Sequence, residues 1–215
     1  MKNFDISLYL ITNSDGRSEV DFLETIARAC EGGVTLVQLR EKEKSGREYY
    51  ELAVKVKGVT DRFGVPLIVD DRVDVAMASG AAGVHLGRED MPIAAARSVM
   101  GPGLIIGATA KTVEQAVAAE VAGADYLGVG AIFPTVTKVV TVITPVATLK
   151  EIVDTVKIPV VAIGGLNAGN LGALRGSGAG GAAVVTAIMN SPDPKAASAE
   201  LLRCVNMILR KDGTP

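Results

Sequence analysis

The chain of 215 residues contains no tryptophan, one histidine and two cysteines, and aromatic residues make up only 4% of it. So few aromatic side chains argue against a surface on which nucleic-acid bases stack. One histidine and two cysteines are too few for a zinc site, and they supply no Ser/His/Asp or Cys/His set for nucleophilic catalysis. Cys30 and Cys204 both fall on the apolar stripes of predicted helices, so we expect reduced thiols, with a disulfide as the alternative.

The sequence also lacks an excess of either charge and any long apolar run. Its 22 lysine and arginine residues nearly balance 24 aspartate and glutamate residues, and no basic block occurs, so we expect no nucleic-acid partner. The first residues, MKNFDISLYLITNSDG, hold an apolar run too short for a signal peptide or a membrane span. We therefore expect a cytoplasmic protein without a membrane partner.

Glycine and short β-branched segments are what the sequence has in abundance. Glycine accounts for 24 of the 215 residues, above the roughly 7% that is usual. Eight apolar segments, each followed by a segment with helical spacing, predict strands buried on both faces of a parallel sheet. These segments are residues 8–12, 35–40, 66–71, 83–87, 104–110, 126–133, 159–165 and 181–189.

Eight such units, without a linker or a change of composition, predict an α/β fold: a single (β/α)8 TIM barrel over residues 1–215. The alternative is a doubly wound open sheet. It is less favoured because residues 13–16 follow the first segment as NSDG, where a G-x-G-x-x-G nucleotide fingerprint would stand. Helix starts are predicted at Ser18, at Ser45 with Glu48, at Thr112 with Gln115, and at Asp193 before Pro194.

Charged residues collect where these strands end, which is the active-site end of a barrel. Asp70 and Asp71 follow the third strand, and Asp90 follows the fourth. Basic residues come from other strands, namely Arg40, Lys42 and Lys138. One interpretation is a set of surface ion pairs, worth about 0–1 kcal/mol each. The other is an Mg²⁺ ion held by one or two aspartates, with phosphate oxygens as further ligands that the basic residues also neutralise.

Two loops at the same end predict anion sites. Gly164 and Gly165 follow the seventh strand, where backbone amides often bind phosphate, with a tight ligand-free turn as the alternative. The segment PTVTK at 134–138 places two hydroxyls before a lysine. Two anion sites favour two phosphorylated small-molecule substrates. The single histidine, His85, lies within a strand, so we interpret it as a packed, hydrogen-bonded residue rather than a catalytic base.

Six ordered motifs, spread over nearly the whole chain, resemble those of thiamine-phosphate synthases. They are QLREK at 38–42, VDDRVDVA at 69–76, GVHLGREDMP at 83–92, GAIFPTVTK at 130–138, AIGGLNAGN at 162–170 and VVTAI at 184–188. The resemblance implies a (β/α)8 barrel and a transferase that couples hydroxymethylpyrimidine diphosphate to hydroxyethylthiazole phosphate, or to its carboxylated form. Thiamine phosphate and diphosphate are the implied products, and Mg²⁺ is the implied cofactor.

The resemblance also implies which residues meet each substrate. The pyrimidine diphosphate would contact Gln38, Leu39, Arg40, Glu41, Lys42, Asp70, Thr109 and Lys138. The thiazole phosphate would contact Thr135, Val136, Thr137, Gly165, Val185 and Thr186. The metal ligands would be Asp71 and Asp90, and the catalytic side chains would be Lys138, Arg40 and Thr109.

The sequence departs from the family at three places. Asp70 stands where the family usually has asparagine, and Thr109 and Lys111 stand where it usually has serine and histidine. Residues 139–143 are apolar where the family's loop is polar. Two other functions stay open: a thiazole tautomerase, which relies on a histidine where this chain has GAI at 130–132, and a barrel that only senses a phosphorylated ligand. The sequence leaves the oligomeric state open, a homo-oligomer included.

Overall fold

Eight parallel strands form a closed barrel in the computed structural model, which describes residues 4–135 and 142–209. The strands are β1 (Leu8–Ile11), β2 (Leu36–Leu39), β3 (Leu67–Asp70), β4 (Gly83–Leu86), β5 (Ile105–Ala110), β6 (Tyr126–Gly130), β7 (Val160–Ile163) and β8 (Gly181–Val184). Each strand pairs with its neighbours in the sequence, and β8 closes the ring against β1 with Val184 opposite Leu10. The predicted (β/α)8 barrel is confirmed.

The described residues form eight α-helices around this barrel. They are α1 (Glu19–Glu31), α2 (Gly46–Asp61), α3 (Val73–Ser79), α4 (Ile93–Met100), α5 (Val113–Val121), α6 (Val146–Thr155), α7 (Thr186–Met189) and α8 (Pro194–Leu209). A short 3-10 helix, Leu171–Leu174, joins β7 to β8 in place of an α-helix. Within the described ranges, none of the helices combines the length and the apolar character needed to cross a membrane.

All eight strands are shorter than the segments predicted for them, and the eighth differs most. The eighth, predicted over 181–189, ends at Val184, and Thr186 begins the short helix α7. The apolar pattern does not separate the two because a buried strand and a buried helical turn both consist of consecutive apolar residues. The sixth strand, predicted to residue 133, ends at Gly130.

Side chains cap the helices where the sequence predicts their starts. At each of four positions, a side-chain oxygen accepts a hydrogen bond from a backbone amide two or three residues further on: Ser18, Ser45, Thr112 and Asp193. Ser45 and Glu48 also form a reciprocal capping box at α2. Such caps stabilise a helix by about 1 kcal/mol each, so they fix where each helix leaves its preceding loop.

Two buried layers hold the barrel together. The outer layer lies between the strands and the helices and consists of aliphatic side chains such as Leu10, Val84 and Leu149, each 0% exposed. The inner layer fills the barrel and includes Tyr9 and Tyr126, whose hydroxyl oxygens are 2.7 Å apart. The inside of the barrel therefore contains a hydrogen-bonded polar centre. Both cysteines are free thiols, as the sequence predicts.

Candidate active site

A cavity of about 640 Å³ opens where the carboxyl ends of the strands meet, and we call it the mouth cavity. Strands β2 to β5 and the turns that follow them provide most of its polar lining. That lining includes Gln38, Arg40, Lys42, Asp70, Asp71, His85, Asp90, Thr109 and Lys111. Small-molecule sites typically enclose roughly 300–1,000 Å³, so the mouth cavity has the size of a substrate site.

Acidic and basic side chains meet on one side of the mouth cavity. Lys42 Nζ lies 3.1 Å from Asp70 Oδ2 and donates a hydrogen bond to Asp71 Oδ2. Arg40 Nε lies 3.6 Å from the same Asp70 oxygen. Consecutive strand residues point to opposite faces, so both carboxylates reach Lys42 only because Asp71 leaves the strand with a φ of +62°. Aspartate tolerates this left-handed conformation better than most residues do.

Burial and neighbouring charges perturb the ionisation of this cluster. Burial and then the charge of Asp71 raise the pKa of Asp70 to about 6, although the Lys42 and Arg40 cations offset part of that rise. Burial also opposes the ionisation of Asp71, but hydrogen bonds with Lys42 and Asp90 outweigh it and lower the pKa of Asp71. Partial burial acts to lower the pKa of Lys42, yet the two carboxylates raise it overall. Perturbed titratable groups in a cleft are typical of functional sites.

The carboxyl groups of Asp71 and Asp90 interact closely enough for each to shift the pKa of the other. Burial and then this interaction raise the pKa of Asp90, whose Oδ2 also accepts from Gly87 N at 2.6 Å. Adjacent carboxylate oxygens repel each other when both are ionised, so the pair fits a cation that prefers oxygen ligands, such as Mg²⁺. Within the described ranges, no group of three or more His, Cys, Asp and Glu side chains is arranged to hold a metal. A cation on this pair would need its other ligands from water and substrate.

A second cavity, here called the side cavity, adjoins the mouth cavity near β6, β7 and β8. Both cavities are lined by Thr109, Lys111, Ile163, Ala183, Val185 and Thr186. Two ligands bound in the two cavities would therefore meet at this shared wall. Among the described residues, no hydrogen bond uses the backbone N–H groups of Gly165 and Thr186, which both belong to the side cavity. Backbone amides without a protein acceptor are suitable donors for an anion.

The turn after β7 needs glycine for packing. Gly164 and Gly165 have φ values of +101° and +64°, a region that glycine enters without a Cβ clash. A Cβ at Gly164 would lie 2.4 Å from Ala131 Cβ, and one at Gly165 would lie 2.5 Å from the carbonyl oxygen of Pro134. The close approach of residues 131–134 thus explains both glycines without a ligand, while the turn still lines the side cavity.

The structure brings most of the predicted site residues into the two cavities. Of the residues predicted to meet the pyrimidine diphosphate, the mouth cavity contains Gln38, Arg40, Lys42, Asp70 and Thr109. Of those predicted to meet the thiazole phosphate, the side cavity contains Thr135, Gly165, Val185 and Thr186. Three predicted residues lie outside the described ranges: Val136, Thr137 and Lys138.

Two residues of the QLREK motif do not line either cavity. Leu39 is 0% exposed and packs in the outer layer. The Glu41 side chain is turned away as well, and its Oε2 accepts a hydrogen bond from Ser14 Oγ at 2.8 Å. Side chains alternate along an extended segment, which places Gln38, Arg40 and Lys42 on the cavity side and their two neighbours on the other.

Two tyrosines that support the mouth cavity are missing from the sequence prediction. Tyr9 lines the cavity, and the Tyr126 hydroxyl lies 3.0 Å from His85 Nδ1. His85 Nε2 in turn lies 3.0 Å from Thr109 Oγ1, so the histidine is packed and hydrogen-bonded, as predicted. A signal was present in the sequence, because a buried tyrosine in a barrel strand usually needs a partner for its hydroxyl.

A family model described as thiamine monophosphate synthase matches residues 8–188. The chain belongs to this family. It is 53% identical over 193 residues to thiamine-phosphate synthase of Lacticaseibacillus paracasei, covering 90% of this chain and 91% of that protein. It is 50% identical over 204 residues to thiamine-phosphate synthase 2 of Streptococcus pneumoniae, covering 95% and 97%. The solved thiamine phosphate pyrophosphorylase of Pyrococcus furiosus matches with a TM-score of 0.87 and 42% identity, covering 95% of this chain and 98% of that chain.

Membership of the thiamine-phosphate synthase family confirms the resemblance that the motifs indicate. The protein is a transferase that forms thiamine phosphate in thiamine biosynthesis. The tautomerase alternative requires a histidine where this chain has residues 130–132, at the end of β6 and directly after it. Gly130 and Ala131 line the side cavity there, and the single histidine of the sequence lies on β4.

Proposed function

We propose that the mouth cavity binds the pyrimidine diphosphate, that the side cavity binds the thiazole phosphate, and that transfer depends on Mg²⁺. One observation carries this assignment: the two cavities share a wall that includes Thr109 and Lys111. Because the two cavities adjoin at these shared residues, a substrate bound in each cavity can place the reacting carbon and nitrogen in contact. Such positioning converts a reaction between two molecules into one within a single complex, which accounts for a large part of many enzymes' rate.

Charge stabilisation of the leaving diphosphate is the main role we assign to the mouth cavity. Arg40 and Lys42 extend into this cavity and would neutralise diphosphate oxygens. Asp71 and Asp90 would hold Mg²⁺, which when bound supplies further positive charge to the diphosphate. Lys138 is predicted to add a third cation. Preorganised charges that face a developing negative charge commonly make the largest single contribution to catalysis.

The transfer itself needs no nucleophilic side chain. The bond between the pyrimidine methylene carbon and the diphosphate oxygen breaks, and its electron pair leaves with the diphosphate. The electron-rich aminopyrimidine stabilises the cationic methylene, and the lone pair of the thiazole nitrogen then forms the new carbon–nitrogen bond. This path fits the mouth cavity, where His85 is engaged with Tyr126 and Thr109 and burial raises the pKa of Tyr9. The other titratable lining groups are carboxylates, lysines and arginines.

The thiazole phosphate has its own set of donors in this proposal. The backbone amides of Gly165 and Thr186 would bind its phosphate, with Thr135 and Val185 beside them. Val136 and Thr137 are predicted to complete the set. We place the reaction in the cytoplasm because Cys30 and Cys204 are both free thiols, as is typical of proteins in a reducing compartment.

A coupled assay tests the proposal. Purified protein given both phosphorylated substrates and Mg²⁺ should release diphosphate and form thiamine phosphate in equal amounts. Removal of Mg²⁺ by a chelator should stop both, and its return should restore both. No product at high enzyme concentration would overturn the proposed reaction, and full activity without a divalent cation would overturn the role of Mg²⁺. Isomerisation of the carboxylated thiazole phosphate, without any coupling, would favour the tautomerase.

A further inference from the structure

Five polar side chains form a continuous hydrogen-bonded chain across the inside of the barrel, which we call the relay. Gln38 Nε2 donates to Tyr9 OH at 2.8 Å, and Tyr9 OH lies 2.7 Å from Tyr126 OH. Tyr126 OH lies 3.0 Å from His85 Nδ1, and His85 Nε2 lies 3.0 Å from Thr109 Oγ1. Both ends of the relay, Gln38 and Thr109, line the mouth cavity.

When each tyrosine hydroxyl of the relay accepts one hydrogen bond and donates one, the first donor determines the direction of every bond. The Gln38 amide nitrogen can only donate, so the Tyr9 hydroxyl accepts from it and directs its own proton to Tyr126. By the same rule, Tyr126 directs its proton to His85 Nδ1. The imidazole proton is then on Nε2 and is donated to Thr109 Oγ1. The proton of the Thr109 hydroxyl is left for a group in the mouth cavity.

Two glycines in the strands make room for the rings of the relay. A Cβ at Gly107 would lie 2.1 Å from Tyr126 Cζ, and one at Gly128 would lie 3.3 Å from His85 Cε1. Tyr9 is 1% exposed and Tyr126 is 0% exposed. Burial raises the pKa of both tyrosines, so each keeps the one proton that a directional relay requires. The backbone on two strands is thus shaped around these side chains.

We propose that Tyr9, Tyr126 and His85 are positioning residues that hold Thr109 as a hydrogen-bond donor to the substrate in the mouth cavity. The same direction leaves the Gln38 amide oxygen as an acceptor. A ligand that offers an acceptor to Thr109 and a donor to Gln38 matches both ends, and an aminopyrimidine does so with its ring nitrogen and its amino group. Only the identity of this ligand rests on the proposed function.

The opposite orientation of the Gln38 amide would reverse the whole relay. Its oxygen would accept from Tyr9, His85 would carry its proton on Nδ1, and Thr109 would donate to Nε2. Thr109 would then present only a lone pair to the substrate. The two directions require opposite histidine tautomers, so the tautomer of His85 decides between them.

The chain has a single histidine, which makes this tautomer directly measurable. Untagged full-length protein labelled with ¹⁵N-histidine should give one imidazole pattern in a two-bond ¹H–¹⁵N correlation spectrum at about pH 8, where an ordinary imidazole is neutral. We expect the proton on Nε2. A proton on Nδ1, or a ring that averages rapidly between the two tautomers, would overturn the proposed direction.

Two tyrosine variants test whether the relay sets that tautomer. Tyr126→Phe keeps the ring but removes the donor to Nδ1, so the fixed tautomer should be lost. Tyr49→Phe is the matched control because the buried Tyr49 hydroxyl bonds to backbone groups of Leu39 and Asp70 and takes no part in the relay. An unchanged His85 spectrum in Tyr126→Phe, or an equal change in Tyr49→Phe, would contradict the relay.

Kinetics with both substrates test the positioning role. Tyr126→Phe should lower kcat/KM for the pyrimidine diphosphate about tenfold, as expected for the loss of one well-placed hydrogen bond, and leave KM for the thiazole phosphate unchanged. Equal effects on both substrates, or no effect, would overturn the role. The proposed function can fail separately: a protein without coupling activity still reports its tautomer, whereas an active enzyme with the proton on Nδ1 contradicts only the relay.

Discussion

The outer apolar layer and the mouth cavity are built from the same strands, but they make opposite demands on side chains. On β3, Val69 is 0% exposed among the aliphatic side chains of the outer layer. The next residue, Asp70, lines the mouth cavity, and burial together with the charge of Asp71 raises its pKa to about 6. Burying an aliphatic side chain stabilises the fold, whereas burying a carboxylate costs free energy unless partners compensate.

Adjacent residues of one strand can therefore serve different purposes: one stabilises the fold and the next belongs to the site. Neighbouring residues of a strand face opposite sides of the sheet, so a change on one side leaves the other side's contacts in place. Substitutions in the mouth cavity should therefore reduce activity with little loss of stability. Substitutions in the outer layer should reduce stability and leave the activity of the folded fraction unchanged.

The largest effect is expected for a metal-site aspartate. Asp90→Ala should lower turnover by about 10²-fold or more at a fixed Mg²⁺ concentration, and more Mg²⁺ should be needed for half-maximal rate. Stability should change little, because relief of the repulsion between Asp90 and Asp71 offsets the lost hydrogen bond from Gly87 N. Diphosphate release over an Mg²⁺ titration and a thermal melt measure both quantities.

An exposed carboxylate outside both cavities provides the control for this experiment. Glu151→Ala removes an exposed side chain on α6 and should keep normal activity and Mg²⁺ dependence. If Asp90→Ala behaved like Glu151→Ala, the assignment of Asp90 to the metal would be wrong.

The converse test lies in the outer layer. Leu149 on α6 is 0% exposed, so Leu149→Ala should lower the free energy of unfolding by about 2–5 kcal/mol through lost burial and a cavity. Urea denaturation measures this loss. Turnover per folded molecule should match that of the unmodified protein, and Val121→Ala, at an 82% exposed position, should change neither quantity. A large drop in the turnover of folded Leu149→Ala would show that the outer layer and the mouth cavity are not independent.

A smaller effect is expected at the wall between the cavities. Lys111 lines both of them, and no ion pair joins it to another side chain within the described part of the chain. Lys111→Met should raise KM for the thiazole phosphate, the pyrimidine diphosphate or both by about tenfold, because one cation is lost beside a phosphate. Lys150→Met is the control, since Lys150 Nζ pairs with Asp154 at 2.6 Å on α6. Unchanged KM values for both substrates would remove Lys111 from the site.

The sequence predicts the barrel and the end of it that carries the site because both depend on local patterns. Strand and helix periods repeat eight times, and the charged residues follow the strands directly. The end of β8 was predicted wrongly because its apolar run continues into α7. Strand alternation predicts that Glu41 faces away from the cavity, although the resemblance assigns the whole QLREK motif to the substrate. The sequence does not predict that Lys42 contacts both Asp70 and Asp71, because this shared contact depends on the left-handed turn at Asp71.

The relay shows where sequence patterns stop being informative. Its residues come from five strands, and Tyr9 and Tyr126 are 117 positions apart. Each local segment indicates a buried tyrosine whose hydroxyl needs a partner, but neither segment identifies that partner. Only closure of the barrel brings their hydroxyls together, so the contact is a consequence of the fold and not of a motif.

The smallest effect on enzyme activity is expected for two thiols of the helical shell, of which Cys30 is buried and Cys204 is partly exposed. Burial raises the pKa of the Cys30 thiol to about 12, whereas Cys204 is half-buried. A disulfide reagent at about pH 8 should modify Cys204 readily and Cys30 roughly 10³-fold more slowly, because little thiolate forms at Cys30. Cys204→Ser should remove the fast phase and Cys30→Ala the slow one. Because the folded thiol holds its proton more tightly than the unfolded one, stability should fall as the pH rises above the ordinary value of 9.0, and Cys30→Ala should weaken that dependence.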